Sequence, residues 1–165
     1  MKGIYLLLGS NLGDRLAKLG QARSAIEQQI GTIANMSSIY STAAWGIEDQ
    51  PDFLNQVIEI ETTKKPREVM DQILLIEDQL GRKRHIKWGS RIIDVDILYF
   101  GDLIVDEEDL QIPHPENVNR NFVLTPMSEI APNLLHPVVE KTQRELQEVC
   151  PDTLEVHIYK KSQSQ

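Results

Sequence analysis

Asp94 and Asp96 stand one residue apart within the apolar run Ile92 to Phe100, and just before them residues 82–91 carry five Lys or Arg and no acid. On a strand, alternation puts both carboxylates on one face. Two like charges so close are costly to bury unless a cation shares them. Carboxylate oxygens suit Mg²⁺ or a similar hard ion, and arginines beside such a site are what a polyphosphate requires. The alternative is an edge strand with two solvated aspartates. The basic run is the one cationic concentration in a chain of net charge −8. That balance argues against nucleic acid as a target, because the net charge repels it and no aromatic stacking pattern accompanies the basic residues. A small anion such as a nucleotide fits better.

A second set of residues suits a flat ring. In the segment Phe53-Leu54-Asn55-Gln56-Val57, alternation gathers Phe53, Asn55 and Val57 on one face. An Asn beside an aromatic offers an amide to the edge of a heterocycle that stacks on the ring; an Asn satisfied by loop backbone is the competing reading. Gly9-Ser10-Asn11-Leu12-Gly13 looks like a phosphate loop but lacks the Lys and Ser/Thr of one, and a strand-to-helix turn explains it. Pro113-His114-Pro115 is a rigid turn bearing a His. Cys150 is the lone cysteine, which precludes an internal disulfide and fits a reducing compartment.

The elements that must position these groups follow from periodicity. Ile4 to Leu8 reads as a buried strand, followed by a helix capped by Ser10 or Asn11, with Leu12, Leu16, Leu19, Ile26 and Ile30 as its apolar stripe and Gly31 as its stop. Residues 33–43 and Asp52 to Thr62 read as strands. Pro66 opens a second helix whose Val69, Ile73, Ile76 and Leu80 face the core, with Gly81 as its stop. The strand of residues 92–100 follows, then a Pro-rich stretch over 112–137, a helix near 141–149 and a strand around 154–159. The order βαββαβ predicts an α+β fold, a ferredoxin-like sandwich with a C-terminal extension. The 165 residues predict a single domain over 1–160 and a disordered tail over 161–165, with no membrane span and a cytoplasmic location.

The run Lys87-Trp88-Gly89-Ser90-Arg91-Ile92-Ile93-Asp94-Val95-Asp96-Ile97-Leu98 resembles the signature of the 6-hydroxymethyl-7,8-dihydropterin pyrophosphokinase family. Gly9 to Gly13, Gln50 to Asn55, Gly81-Arg82 and Pro113-His114 resemble its other motifs, in the family's order. The resemblance implies a folate-pathway enzyme that moves a diphosphate from ATP to the hydroxymethyl group of the pterin and releases AMP. It implies that Asp94 and Asp96 bind two Mg²⁺ ions, and that Arg82 and Arg91 act with them on the phosphates, with Lys83, Arg84, His85 and Lys87 nearby. For the pterin it implies Thr42, Ala43, Trp45, Phe53, Asn55, Trp88 and Phe122. For ATP it implies Glu77, Arg82, Arg84, Arg91, Ile97, Leu110, Gln111, His114 and Arg120. The substrates are then two small molecules, and no protein partner is indicated.

The chain departs from the family pattern at Phe53, where Tyr is frequent, at Ala43, where Pro is usual, and at Pro115. Leu74 and Asp109 replace polar or basic residues that contact nucleotide in some members. Two rival functions use parts of the same set. Another metal-dependent phosphotransferase or phosphohydrolase would yield ADP or free phosphate, and a non-catalytic binding module would not need the aspartate pair.

Overall fold

A computed structural model of the chain describes residues 3–43, 51–81 and 92–160. Trp45, the basic run with Arg82, Lys83, Arg84, His85, Lys87, Trp88 and Arg91, and the tail 161–165 lie outside the described residues. The elements, in chain order, are β1 (Ile4–Ser10), α1 (Arg15–Gln29), β2 (Thr32–Met36), β3 (Ile39–Thr42), β4 (Phe53–Glu61), α2 (Pro66–Gln79), β5 (Asp94–Phe100), β6 (Val105–Glu107), β7 (Leu110–Ile112), α3 (Asn121–Ile130), α4 (Gln143–Glu148) and β8 (Val156–Lys160). The main sheet is antiparallel at every pairing, in the order β5-β1-β4-β3-β8, with β2 also on β4. The β6–β7 pair is a separate hairpin. Among the described residues no helix is long and apolar enough to cross a membrane.

All seven residues of β1 are buried, because this strand has a neighbour along each edge and side chains packed on each face. Ile4, Leu6 and Leu8 join Leu54, Ile58, Ile60, Val95 and Ile97 in one apolar cluster with Leu19 and Ile26 of α1 and Val69, Ile73 and Ile76 of α2. Tyr5 and Leu7 join Val57, Leu98 and Tyr99 on the opposite face, where α3 contributes Val123 and Met127. Helices α1 and α2 therefore cover one face, and α3 covers only part of the other.

Four local expectations are corrected. Helix α1 is capped by Asp14, whose Oδ1 accepts the Ala17 N–H at 3.1 Å. Ser10 is still in β1, opposite Leu54, and Leu12 precedes the helix. The strand expected over 33–43 is split into β2 and β3 at Ser37 and Ser38. There the Ser37 Oγ accepts the Val57 N–H at 3.0 Å and donates to the Ser38 carbonyl at 2.7 Å, while Gln56 Nε2 donates to the Ser37 carbonyl at 2.8 Å. The side-chain bonds take the place of ladder bonds, and the register moves from Met36 opposite Ile58 to Tyr40 opposite Asn55. The strand predicted from residue 92 begins at Asp94. Finally, the Pro-rich stretch over 112–137 contains α3, with Pro126 inside it; burial of Val123, Leu124 and Met127 outweighs the proline's propensity.

Helix α3 is pinned to β3 by one carboxylate. Glu129 accepts the Ser38 N–H at 2.8 Å, the Ser38 hydroxyl at 2.7 Å and the Tyr40 hydroxyl at 2.9 Å. Burial first, and then Glu129, hold the Tyr40 phenol above its ordinary range, so it remains a donor.

The Ser37 bonds make a prediction about stability. Ser37→Ala leaves the buried Val57 N–H without its acceptor and should cost about 1–3 kcal/mol. Urea denaturation followed by circular dichroism measures this, and a loss within experimental error would show that backbone relaxation replaces the hydroxyl.

Candidate functional site

The register of β1 brings the two sequence-defined sets together. Gly9 is opposite Asn55 on β4 and opposite Asp94 on β5. A Cβ at Gly9 would lie 2.9 Å from Asn55 Oδ1, so glycine is what allows the buried amide to sit against β1. Asn55 Nδ2 donates to the Thr42 hydroxyl at 3.1 Å. Among the described residues the amide is thus held by a side chain and not by loop backbone. Phe53 lies opposite Thr42 at the end of the β3–β4 ladder.

Over this edge of the sheet is a cavity of about 590 Å³ lined by Thr42, Ala43, Phe53, Asn55 and Phe122, and also by Asp94 and Asp96. Both aspartates are half-buried. Strand β5 is an edge strand of the main sheet, as the bland alternative has it, but its carboxylates line a concave space rather than an open surface. Among the described residues no group of three or more His, Cys, Asp or Glu comes together. Two carboxylates suit an ion such as Mg²⁺, which keeps several waters and completes its shell with phosphate oxygens.

The segment after β7 is tied to β5 from outside. The Leu98 carbonyl accepts the His114 N–H at 3.0 Å and Asn117 Nδ2 at 2.8 Å. His114 Nδ1 accepts the Glu116 N–H at 3.1 Å, so the neutral ring carries its proton on Nε2. Burial lowers the imidazole pKa, Arg120 adds to that, and Asp96 and Glu116 oppose it. The Arg120 guanidinium lies 5.4 Å from the centroid of the Phe122 ring, within cation–π range, and Arg120 lines the cavity.

Other expected residues lie elsewhere. Glu77 is buried beneath β5, where its Oε2 accepts the Val95 N–H at 2.9 Å. Ile97 and Leu110 belong to the apolar cluster on the α1 and α2 side, whereas Gln111 is exposed on β7. Asp109 is engaged by Arg67, at 3.0 Å, in a group that includes Glu107, and Leu74 is exposed on α2. Trp45, Arg82, Arg84, Trp88 and Arg91 are among the residues outside the description. Leu7, Glu116, Asn119, Pro151, Asp152 and Leu154 also line the cavity and were not anticipated. Leu7 follows from strand parity with Gly9; nothing in the sequence marks the others.

The family model for 7,8-dihydro-6-hydroxymethylpterin-pyrophosphokinase matches residues 5–132. The chain is 39% identical over 145 residues to the 2-amino-4-hydroxy-6-hydroxymethyldihydropteridine pyrophosphokinase of Aquifex aeolicus, covering 88% of this chain and 90% of that protein. It is 44% identical over 127 residues to the protein of the same name from Bacillus subtilis, covering 76% of each. Among solved structures, wild-type Plasmodium falciparum HPPK-DHPS superimposes with a TM-score of 0.72 at 19% identity. The match covers 90% of this chain and 43% of that one, a likeness of fold.

Two outcomes follow from the site's packing. Gly9→Ala should rotate the Asn55 amide off Thr42 and cost about 1–3 kcal/mol; the Asn55 side-chain amide resonances and urea denaturation report both effects, and unchanged resonances would refute the contact. Burial lowers the pKa of His114, and also of His136, below the ordinary 6.5. The unfolded chain therefore binds protons first as pH falls, so unfolding free energy should drop as pH falls through about 6.5 and level off below the folded-state values. Denaturation at several pH values tests this, and His114→Gln with His136→Gln should flatten the slope.

Proposed function

Since the chain belongs to the 7,8-dihydro-6-hydroxymethylpterin-pyrophosphokinase family, we propose that it transfers diphosphate from ATP to the hydroxymethyl group of 6-hydroxymethyl-7,8-dihydropterin in folate biosynthesis. The observation that carries this reading is the position of Gly9, with the amide of Asn55 on one side and the carboxylate of Asp94 on the other, under one cavity. The strand order β5-β1-β4-β3 supports reading the core as the ferredoxin-like arrangement expected from sequence.

In this reading the ring stacks with Phe53 and Phe122, and Asn55, fixed by Thr42, pairs with its polar edge. A ring lacking the matching groups would leave buried polar atoms unpaired, at about 1–3 kcal/mol each. The hydroxymethyl substituent then points toward Asp94 and Asp96. Its oxygen attacks the β-phosphorus of ATP, the new O–P bond forms, and the bond from that phosphorus to the oxygen bridging to the α-phosphate breaks. AMP leaves with the electron pair, and the hydroxyl proton passes to solvent. Asp94 and Asp96 would hold two Mg²⁺ ions, whose chemistry is to neutralise charge on the phosphates and to lower the pKa of the attacking hydroxyl.

Arg120 and the Nε2–H of neutral His114 are donors suited to phosphate oxygens on the aspartate side. The assignment of Arg82, Arg84 and Arg91 to the phosphates, and of Trp45 and Trp88 to the pterin, rests on sequence resemblance. To Glu77 we assign a positioning role, because its carboxylate holds the Val95 amide between the two aspartates. Ile97, Leu110 and Gln111 stay with the nucleotide on the strength of the resemblance.

The test is a product assay with ATP, Mg²⁺ and the pterin, resolving AMP from ADP by chromatography. AMP formed only when pterin and Mg²⁺ are both present is the expected result; ADP, or nucleotide breakdown indifferent to pterin, would overturn the reading. Asp94→Asn and Asp96→Asn should each lower kcat by at least about 10²-fold while the circular dichroism spectrum is retained. A folded aspartate variant with near-normal turnover would refute the role given to the pair.

A further inference from the structure

The cavity has a wall that lies beyond residues 5–132, the part matched by the family model: Pro151, Asp152 and Leu154, between α4 and β8. This short segment is fastened to the first residue of α3. Asp152 Oδ2 accepts the Asn121 N–H at 3.0 Å, and its Oδ1 accepts the Leu154 N–H at 2.9 Å. Asn121 Nδ2 returns two bonds, to the Asp152 carbonyl at 2.8 Å and the Leu154 carbonyl at 3.4 Å. A carboxylate at the start of a helix gains further from the helix dipole. Asn121 sits between Arg120 and Phe122, both of which line the cavity. At its other end the segment runs into β8, where Val156 lies opposite Thr42, so Leu154 comes within two residues of the Thr42–Asn55 pair.

We propose that Pro151–Leu154 is a wall of the ring recess, that Leu154 is a specificity-determining residue, and that Asp152 is a positioning residue setting the separation between this wall and Phe122. The ligand class is a planar bicyclic heteroaromatic ring, and the inference rests on the pterin reading above. One carboxylate links Asn121 on the Phe122 side to Leu154 on the β8 side. The width available to a stacked ring is then fixed by hydrogen-bond geometry and not by the packing of either element alone. Without the latch, α3 keeps its Glu129 anchor on Ser38 and on Tyr40 of β3 and the fold is retained, but the recess loses its set width.

The test is calorimetric titration of the full chain with 6-hydroxymethylpterin, in the presence of Mg²⁺ and a non-hydrolysable ATP analogue, and separately with the analogue alone. Asp152→Ala should weaken pterin binding by about tenfold and leave analogue binding within about twofold, with Asp152→Asn, which keeps one acceptor, in between. Leu154→Ala should weaken the parent pterin and improve relative binding of a ring-methylated pterin, whereas Leu154→Trp should block pterin and spare the analogue. If Asp152→Ala fails to fold, the two Leu154 variants decide the matter. Unchanged pterin affinity in folded Leu154 variants, or equal loss of both ligands, would overturn the proposal. A wild-type chain that neither binds pterin nor forms AMP would instead bring down the functional reading on which it rests.

Discussion

The antiparallel register of β1 between β4 and β5 is the constraint on which the site depends. It places Gly9 opposite Asn55 on one side and Asp94 on the other. Neighbouring strands are about 4.8 Å apart, so the amide and carboxylate positions are separated by roughly two strand spacings, near 10 Å. That span suits a flat bicyclic ring with a short substituent reaching toward the carboxylates. A one-residue slip of either neighbour would turn its functional side chains to the α1 and α2 face. The burial of Ile58 and Ile60 on β4, and of Val95 and Ile97 on β5, prevents that slip by placing apolar groups where the alternative register would put polar ones.

The unequal covering of the two faces turns this register into a cavity. Helices α1 and α2 fill one side with aliphatic residues, whereas α3 covers only part of the other, over Tyr5, Leu7, Val57 and Tyr99 and against β3 through Glu129. The Gly9 end of the sheet is left as the floor of the recess. Its walls come from distant points in the chain, held by polar bonds: Glu129 on Ser38 and Tyr40, Asn117 on the Leu98 carbonyl, and Asp152 on Asn121. Apolar packing thus fixes the floor, and hydrogen bonds to charged or amide groups fix the rim, where packing alone would leave the loops free to shift.

Helical periods were legible in α1 and α2 and alternation in β4 and β5, because each buries an apolar face that repeats at its own period, whereas β1, buried on both faces, was legible as a short continuous apolar run. Less legible were elements governed by contacts with remote residues. Ser37 and Ser38 look like ordinary strand residues until the Val57 amide and Glu129 are seen to bind them. Helix α3 is hidden by Pro126 and the prolines on either side of it, because its stability comes from burial of Val123, Leu124 and Met127 rather than from propensity. In the site, Asn55 and Asp94 announced themselves by being polar within apolar runs. Asp152 and Leu154 did not, since an acid and an aliphatic in a Pro-bounded loop carry no periodic signal.

By itself, the sequence determined the family and the candidate groups of its site: two carboxylates on one strand face, an aromatic with an amide on another, and the motif order of a pterin pyrophosphokinase. Those features are local, set by residue type and by the two-residue period of a strand. Only the tertiary structure decided that Asn55 and Asp94 flank the same glycine, that Glu77 lies beneath β5, and that a loop near residue 152 closes the recess. Those facts depend on strand order and register, which arise from many apolar contacts between residues far apart in the chain.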